Sequence, residues 1–197
     1  PKFAPAGQST QMIVGATNET DLKIIKVADH FYQNYNMKRV YYSGYVPISN
    51  DNRLPAIGTP VPIVRENRLY QADWLLRFYN FKVEEIVNQH NPLLDMEIDP
   101  KLNWALMNLH LFPIDINKAD YFMVMRVPGI GIQNAQKICS ARKHRQLNWE
   151  HLKALGIHTN RAKYFITCND RFDIKDRQPH EIKQQILLLG KSKYEKN

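Results

Sequence analysis

Val127-Pro128-Gly129-Ile130-Gly131, running on into Ile132-Gln133-Asn134-Ala135-Gln136-Lys137-Ile138, is the stretch on which the reading of this chain turns. It reads as a tight hairpin between two helices. Asn117 is a good N-cap for the first helix, with Asp120 three residues on. Tyr121, Val124 and Met125 follow at helical spacing. Pro128 stops that helix, because it has no N–H to donate and clashes with the preceding turn. Gly129 and Gly131 let the backbone turn tightly and leave it bare, and Ala135 and Ile138 fall on the inner face of the second helix. The N–H groups at that helix start lack internal partners and sit at the positive end of the helix dipole. Such a place accepts an anion, and a phosphate fits it.

This pattern resembles the helix-hairpin-helix motif, which implies a grip on the DNA backbone without sequence reading. The candidate contacts are Arg126, Pro128, Gly129, Ile130, Gly131, Gln133, Asn134, Lys137, Arg142, Lys143 and Arg145. They would position the protein and read no bases. A related pattern returns 27 residues later, with Gly156-Ile157 matching Gly129-Ile130, Ala162 matching Ala135 and Phe165 matching Ile138. Residues 148–166 therefore read as a degenerate second hairpin, mainly structural, with Arg161 and Lys163 as point charges. One uninterrupted helix there would remove the repeat.

Charge supports this reading. The net charge is +8 over 197 residues. Residues 1–116 carry 11 Lys+Arg against 12 Asp+Glu, and residues 117–197 carry 16 against 7. The whole excess lies with the hairpin, which points to a polyanion partner for that half. No run of about eighteen apolar residues is present, so no membrane span is expected. The start of the sequence has no apolar signal-peptide core. Cys139 and Cys168 are too few for a disulfide framework, and neither belongs to a CxxC pair. A cytoplasmic setting and no metal site are the expectations. His144, His151, His158 and His180 lack ligand spacing and read as solvated surface, as do Asp95, Glu97 and Asp99.

The first half opens with a short strand, Gln11 to Val14, ended by Gly15. Residues 17–21 supply helix-start chemistry, and the helix runs to about Asn36. A second strand, residues 39–47, is rich in aromatic and β-branched residues. The order predicts a parallel βαβ unit. Residues 49–64 read as a long loop, residues 66–79 as a helix, and Phe81–His90 as a further helix. Another helix starts at Asp99-Pro100, with Pro at its first position. The tail from Asp173 holds a short helix with Ile182, Ile186 and Leu189, and frays at Gly190-Lys191-Ser192-Lys193. Two strands alone cannot make a stable sheet, since most of their edges would stay unpaired.

FAPAGQSTQMIVGA at residues 3–16, RVYYSGYVPI at 39–48, RENRLYQADWLLRFYNF at 65–81 and FPIDINKADYFMVMRVPGIGIQNAQKI at 112–138 together resemble the C-terminal part of a radical S-adenosylmethionine family. It is the DNA modification or repair family linked by gene neighbourhood to a uracil-DNA-glycosylase-like protein. The resemblance implies an α/β region, the end of a partial (β/α) barrel, followed by an all-α helix-hairpin-helix domain. It implies S-adenosylmethionine and a four-iron four-sulfur cluster as cofactors. The family's CxxxCxxC cluster ligands are absent from this chain, which alone should be inactive. Residues 11–19 are similar to the GxIxGxxE strand and turn that contacts the adenine of S-adenosylmethionine. Ile13 and Gly15 match that form, Gln11 stands at its first Gly, and Asn18 stands at its acidic position. The implied cofactor contacts are Gln8, Ser9, Gln11, Ile13, Gly15, Tyr42 and Pro47, with Tyr45 at the same strand end.

The expected organisation is a barrel portion with its covering helices at 1–98 and a basic helical domain at 99–197, with the hairpin at 117–141. Two functions stay open. One is the C-terminal region of a radical enzyme acting on DNA, with a uracil-DNA-glycosylase-like partner implied by the resemblance. The other is a non-enzymatic DNA-binding module that recruits a partner. The catalytic residues, the substrate base and the preferred strand state are not legible.

Overall fold

The computed structural model describes residues 4–168 and 178–194, with side chains through residue 190. The chain divides into two compact units, Pro1–Pro100 and Lys101–Asn197. Both are mixed α/β rather than purely helical, and among the described residues the strands form two two-stranded sheets and no closed barrel.

In the first unit, β1 (Ser9–Val14) pairs in parallel with β2 (Arg39–Gly44), and α1 (Asp21–Tyr35) makes the crossover. This is the βαβ unit that the alternation predicts. Thr20 caps α1 by accepting from Lys23 N–H, and Asn36 ends it in the left-handed conformation at φ 49°. The aromatic stretch after Arg39 leaves the sheet at Gly44, so residues 45–47 are not strand. Helix α2 (Ile63–Phe78) starts three residues earlier than its sequence pattern suggested. The helix expected over 81–90 shrinks to α3 (Val83–Ile86), because Val87 adopts an extended conformation.

Helices α1 and α2 cover one face of the sheet, burying Val14, Ile25, Ala28, Val40, Leu69 and Ala72. The free edge of β2 is closed by side chains. Tyr32 accepts from Val40 N–H (2.9 Å), Tyr70 from Tyr42 N–H (3.0 Å), and Glu66 from Gly44 N–H (2.8 Å). Tyr70 also donates to Tyr42 O at 2.9 Å. Three alternating edge donors are thus satisfied without another strand. The opposite edge, on β1, has no strand partner among the described residues.

Asp73 of α2 ties these layers together. It accepts from Tyr32 (2.5 Å) and Tyr42 (3.4 Å), and Arg77 Nε lies 3.3 Å from its second oxygen without hydrogen-bond alignment. Burial pushes the Asp73 carboxyl up, while the Tyr32 hydrogen bond and Arg77 pull it back. Burial first, then the bond to Asp73, raise the Tyr32 hydroxyl to about 12.

The second unit carries α4 (Pro100–Met107), a 3-10 turn at Leu109–Leu111, β3 (Ile114–Asp115), α5 (Tyr121–Arg126), α6 (Ile132–Ala141), α7 (Trp149–Ala154), α8 (Thr159–Ala162), β4 (Ile166–Thr167) and α9 (Pro179–Tyr194). The all-α expectation is corrected by β3 and β4, which pair in parallel at Ile114↔Ile166 and Asp115↔Thr167. The core gathers Leu102, Ile116, Val124, Ile138, Leu147, Leu152, Phe165, Ile166 and Ile182, all at most 1% exposed. Residues 169–177, which include the expected start of the tail at Asp173, lie outside the described residues. Helix α9 continues as helix to Tyr194, through the stretch read as frayed.

Candidate functional site

The turn between α5 and α6 is built from buried anchors and bare backbone. Asp120, not Asn117, caps α5, accepting from Met123 N–H at 3.0 Å. Asn117 instead pins a distant segment, donating to Leu147 O (2.9 Å) and accepting from Leu147 N–H (2.7 Å). Capping chemistry was correctly present in the sequence, but the long-range partner won Asn117. Helix α5 ends at Arg126 with Val127 as C-cap, one residue ahead of Pro128. Val127 and Ile130 are buried at 0% and 1% exposure, while Gly129 lies exposed between them.

Gly129 has φ +88°, a conformation in which a side chain is strained. Gly131 does not share this role. It is the extended N-cap of α6 at φ −89° and ψ 173°, which any residue adopts. Ala135 N–H makes the first intrahelical bond, to Gly131 O at 2.9 Å. Among the described residues no side chain caps the N–H groups of the three residues ahead of it. These N–H groups lie at the positive end of the α6 dipole.

Residues 148–166 form two helices and a turn rather than one helix. The two segments match position by position. Gly156 has φ +74°, Ile157 is 3% exposed, and Ala162 and Phe165 are fully buried, as Ala135 and Ile138 are. The second helix differs in length, since α8 spans only four residues. The first turn lies against α8 and its N-cap: a Cβ placed on Gly129 would lie 3.2 Å from Arg161 Cβ and 3.9 Å from His158 O. A cleft of about 290 Å³ opens beside them, lined by Gly129, His158, Asn160 and Arg161 and by Ile186, Leu189 and Gly190 of α9.

The candidate contacts divide by position. Gln133 and Lys137 lie exposed along α6, Asn134 is half-buried at its start, and Arg161 is exposed on α8. Lys163 is half-buried, its ammonium 5.1 Å from the Tyr164 ring centre. Lys143 and Arg145 are exposed but follow the far end of α6, about 15 Å along its axis from the turn. Arg145 also bonds His151 at 2.9 Å. They cannot share one phosphate with the turn. Arg142 is corrected to a structural residue, donating to Ile116 O (3.0 Å) and Ala119 O (2.5 Å). Arg126 is half-buried, with its guanidinium 4.8 Å over Trp104.

One contact carried no local signal. Lys101 Nζ of α4 donates to Ile130 O at 2.6 Å, across 29 residues of chain. Helical spacing puts Lys101 and Trp104 on the same side of α4.

The residues implied as cofactor contacts do not converge. Ser9, Gln11 and Ile13 project together from the open face of the sheet, Ile13 at 54% exposure. Tyr41, 43% exposed, shares that face, with Arg39 stacked 4.8 Å over its ring. Tyr42 is corrected to the covered face, at 2% exposure, because strand alternation sends it toward Asp73. Gln8 donates to Tyr35 O at 2.8 Å, closing the end of α1. At Gly15, φ +84°, the space a Cβ would need is taken by the Pro62 ring, 2.9 Å away, so that approach to the backbone is already filled. Pro47 lies beyond the strand.

An iron–sulfur cluster needs several thiolate ligands. Cys139 is half-buried, Cys168 is buried, and among the described residues no three His, Cys, Asp or Glu side chains gather to hold a metal. The donor set of this chain does not fit the cluster. No described helix is long and apolar enough to cross a membrane. No protein-family model, curated protein or solved structure matches this chain.

Proposed function

We propose that this chain is the C-terminal region of a radical S-adenosylmethionine enzyme of DNA modification or repair, and that its second unit grips the nucleic-acid backbone without reading sequence. The observation that carries the binding half is the start of α6, uncapped among the described residues and set on a buried Val127–Ile130 anchor in the basic half of the chain. Uncapped helix N–H groups offer oriented donors and partial positive charge to a phosphate. Helix α8 brings Arg161 beside Gly129, and Lys137 follows along α6. In this reading α5–turn–α6 is a helix-hairpin-helix unit and α7–turn–α8 its shortened repeat.

Sheet edges support the enzyme half. The β2 edge is closed by Tyr32, Tyr70 and Glu66, as a last strand requires, while the β1 edge has no strand partner among the described residues. That asymmetry is what the end of a partial (β/α) barrel would show, with Ser9, Gln11, Ile13 and Tyr41 toward its interior. The cluster ligands would then come from another segment. A non-enzymatic binding module is the second reading, favoured by the misfit between this chain's thiols and a cluster.

Binding is tested by titrating a fluorescent duplex with this chain at increasing salt. About three phosphate contacts give a slope of log affinity against log salt near −3. Affinity is expected to be nearly the same for unrelated sequences of one length. No binding at about 50 mM salt, or a flat salt response, overturns the grip. The two readings separate on the anaerobically purified product of the complete reading frame. The enzyme reading expects about four iron and four acid-labile sulfide per chain. Iron-free protein leaves the binding module.

A further inference from the structure

A second cleft, of about 270 Å³, lies where α6 runs out and α7 begins. It is lined by the apolar Ala141, Leu147 and Leu155 and by three nitrogen-bearing side chains, His144, Arg145 and His151. Among the described residues no carboxylate pairs with Arg145. The polar contacts of the cleft do not balance. Asn148 N–H points at His151 Nδ1 from 3.2 Å, which completes the capping box of α7. Arg145 Nη1 lies 2.9 Å from Nε2 of the same ring. Both neighbours are donors. A neutral imidazole has one acceptor nitrogen and one N–H, and a protonated one has no acceptor. Only one of the two contacts is therefore a hydrogen bond at any time, and the other sets two N–H groups face to face.

The backbone contact is the one that holds. Asn148 N–H is fixed by the helix start, whereas the Arg145 guanidinium ends a long, exposed side chain. Nδ1 is then the acceptor, and Nε2 carries the proton and presents it to Arg145. Two donors aimed at each other lack an acceptor between them, and an anion supplies one. We propose that this cleft is a phosphate-binding site, with Arg145 and His151 Nε2–H as its donors and the exposed His144 beside them as a third. A small swing of Arg145 lets one phosphate oxygen accept from the guanidinium and another from the imidazole. Phosphate suits the task because its tetrahedral oxygens serve several donors at once, and a guanidinium takes two of them in a fork. The apolar lining receives the ester group of an organic phosphate. The start of α7 adds nothing, since Asn148 and His151 already cap it. The site does not rest on the backbone-gripping reading, whose anion position is at the other end of α6.

The test uses the full chain labelled with nitrogen-15 and follows by NMR the ring nitrogens of His151 and the backbone amides of residues 144–155. In the free protein the ring is expected to carry its proton on Nε2. A proton on Nδ1 instead makes Arg145 the partner of the ring and overturns the site. Sodium phosphate, added at constant ionic strength, is expected to shift these amides saturably with a midpoint at roughly 1 mM. Arg145→Gln is expected to weaken that binding at least about tenfold. His151→Glu keeps the capping box, in which Glu is a usual member, and replaces the donor by an anion. It should keep the melting temperature and lose phosphate, a pairing that a general loss of structure cannot produce. Two further probes identify the source of the phosphate. Shifts of the same amides by a duplex with unphosphorylated ends, reversed by free phosphate, assign the site to a nucleic-acid backbone. Shifts by thymidine 5′-monophosphate and not by the duplex assign it to a free phosphate ester, and either result supports the site. Gly131→Asp should leave phosphate binding here unchanged, so this site and the grip at the turn fail separately. No saturable shift up to about 50 mM phosphate, or wild-type titrations in both variants, overturns the proposal.

Discussion

Gly131→Asp is expected to weaken duplex binding by at least about tenfold, roughly 1.4 kcal/mol, without lowering the melting temperature. The expectation follows from where Gly131 sits. It is the N-cap of α6, in an extended conformation at φ −89° that suits an aspartate as well as a glycine. Asp is among the best N-cap residues, so its carboxylate should accept from the uncapped N–H groups and favour the helix by a few tenths of a kcal/mol over Gly. Those are the donors a phosphate would use. The substitution fills the anion position with a permanent anion of its own and adds like-charge repulsion to whatever approaches. Stability and affinity therefore move in opposite directions, which a general loss of structure cannot mimic. Gly131→Asn provides the contrast, since it caps the helix without the charge and should lose less affinity. Equal affinity of Gly131→Asp and the wild type would take the helix start out of the interface.

The turn was legible because its information is local. Pro128 and the two glycines stop one helix and free the start of the next. Val127, Ile130, Ala135 and Ile138 occur at spacings that only a packed helical corner satisfies, and all four are buried at 1% or less. The βαβ order was legible for the same reason. What stayed hidden depends on partners far away in sequence. Asn117 looks like a cap and serves Leu147 instead, 30 residues on. Tyr42 looks like a strand-end residue that lines an opening. Its side depends on strand alternation counted from a start that the aromatic run Tyr41-Tyr42 does not mark, and the structure puts it against Asp73. Arg142 looked like one more basic contact until two backbone carbonyls claimed it. Lys101 was invisible in the opposite way, since no spacing rule links a lysine at the start of one helix to a turn 29 residues later.

Asp21→Ala is expected to destabilise the first unit by about 3 kcal/mol or more. Asp21 is 0% exposed and has two separate duties. One oxygen holds Arg65 Nε at 2.7 Å, and the other accepts from Leu94 N–H at 2.8 Å. Arg65 in turn donates to Glu19 O at 2.5 Å, just ahead of α1. A single carboxylate thus joins the start of α1, the first turns of α2 and the loop after α3. Alanine leaves a guanidinium, itself only 19% exposed, without its counter-charge, and a backbone N–H without an acceptor. Each orphaned group costs its own desolvation, so the loss exceeds that of an exposed ion pair, which is worth about 1 kcal/mol or less. Asn in place of Asp keeps an oxygen for one partner and should fall between the two. The pair is resolved by urea unfolding of Asp21→Ala, Arg65→Ala and the double variant. The double variant should be less destabilised than the sum of the singles by about 1 kcal/mol or more, since it removes both charges together. A loss below about 1 kcal/mol in Asp21→Ala would mean that water reaches Arg65 and Leu94 N–H, and that the first unit is joined by its apolar core alone.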